Sequence, residues 1–266
     1  MLRLDFHTHG KLAKKLPLST TYTDWLLGEA KGAGLDALCL TEHFNTLQFA
    51  ELYGYLAATG RRVGDALEME NGLLLFPGME TDVAESGHIL SIGPLEAILE
   101  LNQRLAPHKE RGQFLPFAQL MDLFSHYPVL VGCAHPFRTP GRVPELPLEQ
   151  LRRLDFLDLN GKDMALDRVR TERLTTALGQ RLNIPVVSGS DTHQAVQYGC
   201  ISTVLERPVT TVHDLAGEMR AGRYTIALSD SAAFQVRTAC LLKRSLKEIH
   251  ALGGDYVSIL TQSATA

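Results

Sequence analysis

Short apolar runs alternate with longer amphipathic stretches along the chain. LRLDF (2–6), LDALCLT (35–41), GLLLFPGME (72–80), HILSIG (88–93), VLVGCAH (129–135), DFLDLNG (155–161), IPVVSGSD (184–191) and YTIAL (224–228) have the length and apolar density of buried strands. Between them, apolar residues recur at helical spacing over 22–33, 46–59, 95–105, 114–125, 166–182 and 210–220. This alternation predicts parallel strands joined by crossover helices, and so many units in series favour one α/β barrel over two independent domains. Gly34 in KGAGLDA closes a helix before a strand, and Asn183 with Pro185 in RLNIPVV does the same. The proline-rich segment 136–150 reads as an ordered surface loop, and no internal repeat, low-complexity tract or long linker interrupts the pattern. After residue 229 the chain is largely helical: ACLLKRSLKEIHAL (239–252) reads as a terminal amphipathic helix, and the tail TQSATA is expected to fray. The expected division is a barrel over 1–228 and a helical extension over 229–266 packed on it.

Composition narrows the class. Hydrophobic residues make up 45% of the 266 and charged residues 21%, as in packed globular proteins. The net charge of −4 gives no support for a general nucleic-acid-binding surface. Cys39, Cys133, Cys200 and Cys240 are far apart, without a C-x-x-C pair, which reads as reduced thiols. No apolar run reaches membrane-spanning length, and Met1 leads directly into a strand with no room for a targeting peptide. A cytoplasmic protein is expected.

Chemistry enters with LDFHTHG, residues 4–10. Alternation along a strand puts Asp5, His7 and His9 on one face, and two imidazoles side by side make half of a metal site. Metal-capable residues then recur at strand boundaries. Glu42 and His43 end the second run, Glu80 ends the third, His88 begins the fourth, His135 ends the fifth, and Asp191 and His193 follow VVSGS. In a parallel barrel the C-terminal strand ends converge on one rim, where active sites form. His88 precedes its strand, so it reaches that rim only if the strand runs antiparallel or its loop folds over. Imidazoles mixed with a few carboxylates suit zinc, manganese or iron better than calcium. Glu80 and Asp191 are candidate bridging carboxylates, each following a strand without a basic neighbour in sequence. His108, His126, His213 and His250 read as surface or structural residues. Asp5 is either a strand-end turn residue or an acceptor for a ligating imidazole, while Asp36, Asp82 and Asp158 read as ordinary polar residues.

The motifs DFHTHG, LTEH, PGMETD, HILSIG, AHP and GSDTH stand in the order and spacing of the polymerase and histidinol phosphatase (PHP) superfamily, which residues 1 to about 227 resemble. The resemblance implies a distorted (β/α)7 TIM-like barrel, two or three divalent ions at its rim, and phosphoester hydrolysis. By motif, His7 and His9 would hold one ion with Glu80 and Asp191, Glu80 would bridge to a second completed by His88 and His135, and His43 with His193 would serve a third. The chain departs from the family in its first loop. From Gly10 to Thr23 there is no carboxylate or imidazole to complete the third site, and Lys11 either supplies positive charge there or is solvated.

The expected activity is that of a metal-dependent phosphoesterase acting on a small phosphomonoester or short phosphodiester, with Asp191 or His193 handling protons. The alternatives are a hydrolase of a cyclic amide or lactone, and a non-catalytic metal-binding regulatory module. The partner expected is a small phosphorylated substrate, with no membrane and no extended nucleic acid; oligomeric state is left open. Arg138, three residues beyond His135, is the leading candidate to contact phosphate, against the alternative of an ion pair with Glu145. Lys162 is the second candidate, with Asn160 donating from the same edge.

Overall fold

The computed structural model describes residues 1–262, so the expectation for the tail applies to Thr261 and Gln262, which lie in a helix, and otherwise falls outside the described residues. Among the described residues eleven strands are present: β1 (Leu2–Thr8), β2 (Ala37–Leu40), β3 (Arg61–Val63), β4 (Ala66–Glu68), β5 (Leu74–Val83), β6 (Gly87–Ile92), β7 (Leu130–Ala134), β8 (Phe156–Asp158), β9 (Val186–Val187), β10 (Ile201–Leu205) and β11 (Tyr224–Leu228). β1, β2 and β5 run parallel, as do β7, β8 and β9, and β6 runs antiparallel between β5 and β7.

The ring closes where the chain after β9 meets β1. Phe6 N donates to Ser188 O (3.1 Å), Asp191 N to His7 O (2.7 Å) and His9 N to Thr192 O (3.1 Å). Seven strands thus form a TIM-like barrel distorted by the reversed β6. Gly189 permits the seam, because a Cβ there would stand 2.7 Å from the His7 nitrogen. Outside the ring, β10 pairs antiparallel with the first half of β1 and carries β11.

Several elements depart from the sequence reading. The β3–β4 hairpin and β10 were not expected; the hairpin strands are three residues each, and β10 pairs between β1 and β11. The helix expected over 166–182 is two helices, Gly161–Leu166 and Arg168–Leu182, broken at Asp167, whose side chain caps the second by accepting from Arg170 N. The long helix expected near the end starts earlier and spans Ala232–Ala251, with a further short helix at Tyr256–Gln262.

Helices Thr20–Gly32, Phe49–Thr59, Leu95–Arg104 and Phe117–Phe124 bury their apolar stripes in one large cluster. A second cluster joins Leu4, Phe6, Phe76, Leu90 and Phe156 of the strands to Leu215 and Met219 of helix Val212–Arg220. A third packs Ala232 and Val236 of the terminal helix on Leu159, Met164 and Ile201. Among the described residues no helix is long and apolar enough to cross a membrane.

Candidate metal centre

The barrel brings all eight sequence-predicted ligands to one end. His7 and His9 lie at the close of β1, where the register with β2 shifts between Asp5 and Thr8. Glu80 sits in the long strand β5, bridged to His43: Phe44 N donates to Glu80 O at 2.9 Å and Glu80 N to Glu42 O at 3.0 Å. Because β6 runs back along β5, His88 pairs across strands with Asp82 and reaches the same end as the other ligands. His135 and Asp191 follow their strands with φ of 30° and 55°, the left-handed region that side chains rarely adopt. Such strain is tolerated where the surrounding structure fixes the chain, often at functional sites.

Three donor groups result, two of which share His9: His7, His9 and Asp191; Glu80, His88 and His135; and His9, His43 and His193. Buried Glu80 lies among them. Its Oε1 stands 2.6 Å from His88 Nδ1, 3.2 Å from His135 Nε2 and 3.5 Å from His7 Nε2. Its Oε2 stands 2.9 Å from His43 Nδ1 and 3.5 Å from His9 Nε2, which is 3.4 Å from Asp191 Oδ1. Donors bound at about 2.1 Å to one ion stand about 3.4 Å apart on a tetrahedral ion and about 3.0 Å on an octahedral one. Most of these spacings fall in or close to that range. Moreover, His7 Nε2, both ring nitrogens of His9, His43 Nδ1 and Glu80 Oε2 are buried without a hydrogen-bond partner. Buried polar atoms left unmatched are costly, and cations among them would satisfy those that face the cluster, one nitrogen per imidazole. The donor set therefore fits divalent metal.

The opposite ring nitrogens are anchored. His7 Nδ1 donates to Asp158 Oδ2 (3.0 Å), His88 Nε2 to Asp82 Oδ1 (3.1 Å) and His193 Nδ1 to Lys11 O (2.8 Å). Each anchor leaves the other nitrogen's lone pair for a metal. Asp82 and Asp158 are thus supports of the cluster and not ordinary polar residues; their partners come from cross-strand register and from a contact 151 residues away. Asp5 accepts the backbone amides of His7 (3.1 Å) and Ser190 (2.9 Å) on one oxygen, pinning the barrel seam instead of an imidazole. Buried Glu42 bonds the amides of Gly10 and His43, a positioning role the sequence left unassigned. The 10–23 loop brings no carboxylate or imidazole to His43 and His193; His9 groups with them, its ring stacked on that of His193 with centroids 4.0 Å apart.

Charge follows this geometry. Burial alone would raise Glu80, but the imidazoles of His88, His43 and His7 hold it well below the usual carboxylate range. Burial likewise opposes ionisation of Asp191, and Lys162 with Arg138 overcomes it. His193 is held well below its ordinary value by burial and by His9, Lys243 and Lys162, so its imidazole is neutral and suited to ligation.

The four expected substrate contacts fare differently. Arg138 forms no pair with Glu145, which binds Arg142 instead. Its guanidinium contacts Asp191 Oδ2 (2.7 Å), Asp163 Oδ1 (2.9 Å) and Asn160 Oδ1 (2.7 Å) beside the cluster. Lys162 Nζ lies 3.0 Å from Asp191 Oδ1. Asn160 is committed to protein, its amide donating to Asp158 at 2.9 Å while its oxygen accepts from Arg138. Lys11 is neither solvated nor in the ligand cluster; it is buried, and its ammonium donates to Leu47 O at 2.5 Å. A cavity of about 810 Å³ opens beside His88, His135 and Arg138. Lys14, Lys15, Lys109 and Arg111 also line it, cations that motif reading did not single out.

The fold and the donor set define a barrel protein with a metal-binding rim. Residues 174–224, from the second half of helix Arg168–Leu182 to the start of β11, match a family model described as PHP-associated. The structure is similar to the crystal structure of PsfC from Pseudomonas syringae PB-5123, with a TM-score of 0.75 and 23% identity over 92% of this chain and 100% of that one. It is also similar to the lesion-specific endonuclease PfuEndoQ from Pyrococcus furiosus (TM-score 0.61, 16% identity, 85% of this chain) and to endonuclease Q in complex with a 27-mer duplex bearing an abasic lesion (TM-score 0.61, 17% identity, 83% of this chain). The chain spans 57% and 56% of those two chains. No curated protein sequence matches it. The barrel, the ligand motifs and the 174–224 match agree with the resemblance to the PHP superfamily.

Proposed function

We propose that this chain is a metal-dependent phosphoesterase hydrolysing a small phosphomonoester or a short phosphodiester. The observation that carries the reading is the convergence of three donor groups on one buried carboxylate, Glu80, at the edge of a cation-lined cavity. His7, His9, Asp191 and Glu80 would hold one ion, Glu80, His88 and His135 a second, and His43 with His193 a third. Zinc, manganese or iron suits these ligands. Bound there, such ions supply Lewis acidity toward a phosphoryl group and lower the pKa of water.

The chain's own residues do the rest. Arg138 and Lys162 flank Asp191 and hold it ionised, and both offer positive charge to phosphate oxygens at the same edge. Neutral His193, fixed through Lys11 O, can accept a proton on its free nitrogen when no ion occupies it. Asp163 and Asn160 set the guanidinium plane of Arg138. The cation-lined cavity favours a phosphate ester over a cyclic amide or lactone. The endonuclease Q neighbour keeps phosphodiesters within the reading. Free cysteines at 39, 133, 200 and 240 suit a reducing, cytoplasmic setting.

The test is turnover of a phosphoester panel by metal-stripped protein reloaded with manganese, zinc or iron. Asp191→Asn should lower kcat/KM by roughly 10²–10³, the scale for losing one charge-stabilising group. Full activity in that variant, or a loaded protein that hydrolyses no phosphoester, contradicts the proposal.

A further inference from the structure

The cavity beside His88 and His135 has a far wall that the metal centre does not use. That wall is built, not merely charged. Lys14 O accepts from Leu47 N (2.8 Å) and Thr46 Oγ1 (3.2 Å), while Asn45 Nδ2 donates to Lys109 O (3.1 Å). Residues 45–47, just after the ligand His43, therefore tie the 11–17 loop and the 109–112 segment into one surface. Four cations face the cavity from it: Lys14, Lys15, Lys109 and Arg111.

Their charges are poorly compensated. Among the described residues, Lys15 and Arg111 form no ion pair or hydrogen bond, and Lys109 Nζ has only the neutral Asn102 Oδ1 at 2.8 Å. Lys14 approaches Asp82 Oδ2 only to 3.9 Å, and that oxygen is buried without a hydrogen-bond partner. Asp82 and Glu110 are the only carboxylates lining the cavity, and Asp82 already serves His88. Asn45 Oδ1 is also buried and unpartnered.

We propose that this wall is a second anion site, and that the substrate is a small molecule carrying a second phosphate or carboxylate away from its scissile phosphoester. The inference rests on the phosphoesterase reading and adds the substrate class. A volume near 810 Å³ is that of a small-molecule pocket.

The test uses a matched series: butyl phosphate, butane-1,4-diol bisphosphate and 4-phosphooxybutanoate, with a duplex oligonucleotide as a fourth arm. The bisphosphate or the phosphocarboxylate should show kcat/KM at least tenfold above butyl phosphate, and which of the two leads identifies the second anion. Lys109→Ala should collapse that ratio severalfold. Lys15→Glu with Arg111→Glu should do the same at exposed positions whose substitution leaves the core intact, with circular dichroism confirming the fold. Calorimetry on metal-free protein supplies an activity-independent arm, in which butane-1,4-bisphosphonate should bind at least tenfold tighter than butylphosphonate, and the Lys15→Glu/Arg111→Glu protein should lose the difference. Equal turnover and equal binding of one- and two-anion probes overturns the second site while leaving the phosphoesterase reading intact. No turnover of any phosphoester overturns that reading, and the calorimetry then decides the site alone. Preferred cleavage of the duplex overturns the small-molecule assignment.

Discussion

Replacing Asp158 with asparagine alters one atom beneath the metal centre and removes its charge. The native carboxylate is fully buried and accepts four hydrogen bonds: Oδ2 from His7 Nδ1 (3.0 Å), Asn160 Nδ2 (2.9 Å) and His135 N (3.4 Å), and Oδ1 from Gly189 N (2.9 Å). An asparagine keeps one oxygen. Turned to serve His7, it sets its NH₂ against the Gly189 amide and leaves a buried donor without an acceptor, at a cost of about 1–3 kcal/mol in stability. Turned the other way, it sets two donors face to face at His7. In either orientation the imidazole loses an anionic partner that raises its strength as a ligand. Losses of this kind weaken metal binding about 10–100-fold, or roughly 1.4–2.8 kcal/mol. Chelator competition measures the affinity and urea unfolding of the metal-free protein measures the stability. Affinity within twofold of wild type would refute the reasoning that Asp158 orients His7 for metal.

Metal loading should release protons at neutral pH. Burial disfavours the charged form of His88, but Glu80 and Asp82 outweigh it and raise the metal-free group to about 10, so it is protonated at pH 7 and must lose that proton to ligate. Affinity should therefore climb with pH through neutrality, and calorimetry in buffers of different ionisation enthalpy should count the proton. Gly189→Ala should destabilise the barrel by more than about 2 kcal/mol in urea unfolding, because its Cβ meets the His7 backbone across the seam. A chain ending at residue 228 should lose cooperativity in thermal unfolding, since Leu159, Met164 and Ile201 pack against Ala232 and Val236.

The sequence pattern carried the barrel and the placement of its candidate ligands further than it carried their supports. His7, His9, His43, His135 and Asp191 were legible because each stands where an apolar run gives way to a turn, and barrel topology gathers such ends. His88 was ambiguous until the direction of β6 was known, because an antiparallel strand brings its beginning, not its end, to that rim. Asp82 and Asp158 could not be assigned, since an acceptor is defined by its partner and these partners follow from register and tertiary contact. Lys11 misled for a related reason: a lysine in a polar loop looks solvated, and only the Leu47 carbonyl and the fold around it explain its burial. The cavity wall joins residues 14–15 to 109–111 through Asn45, a connection with no local signal.

Metal stoichiometry in wild type and Glu80→Gln tests the central claim most directly. Glu80 contributes an oxygen to the surroundings of five imidazoles, and a neutral amide removes the charge that gathers them. Elemental analysis after loading and desalting should give at least two ions per chain for wild type and a loss of one or more for the variant, with its fold intact by circular dichroism. Wild-type protein that retains no ion, or a Glu80→Gln protein that keeps the full complement at unchanged affinity, would contradict a metal cluster organised on this carboxylate.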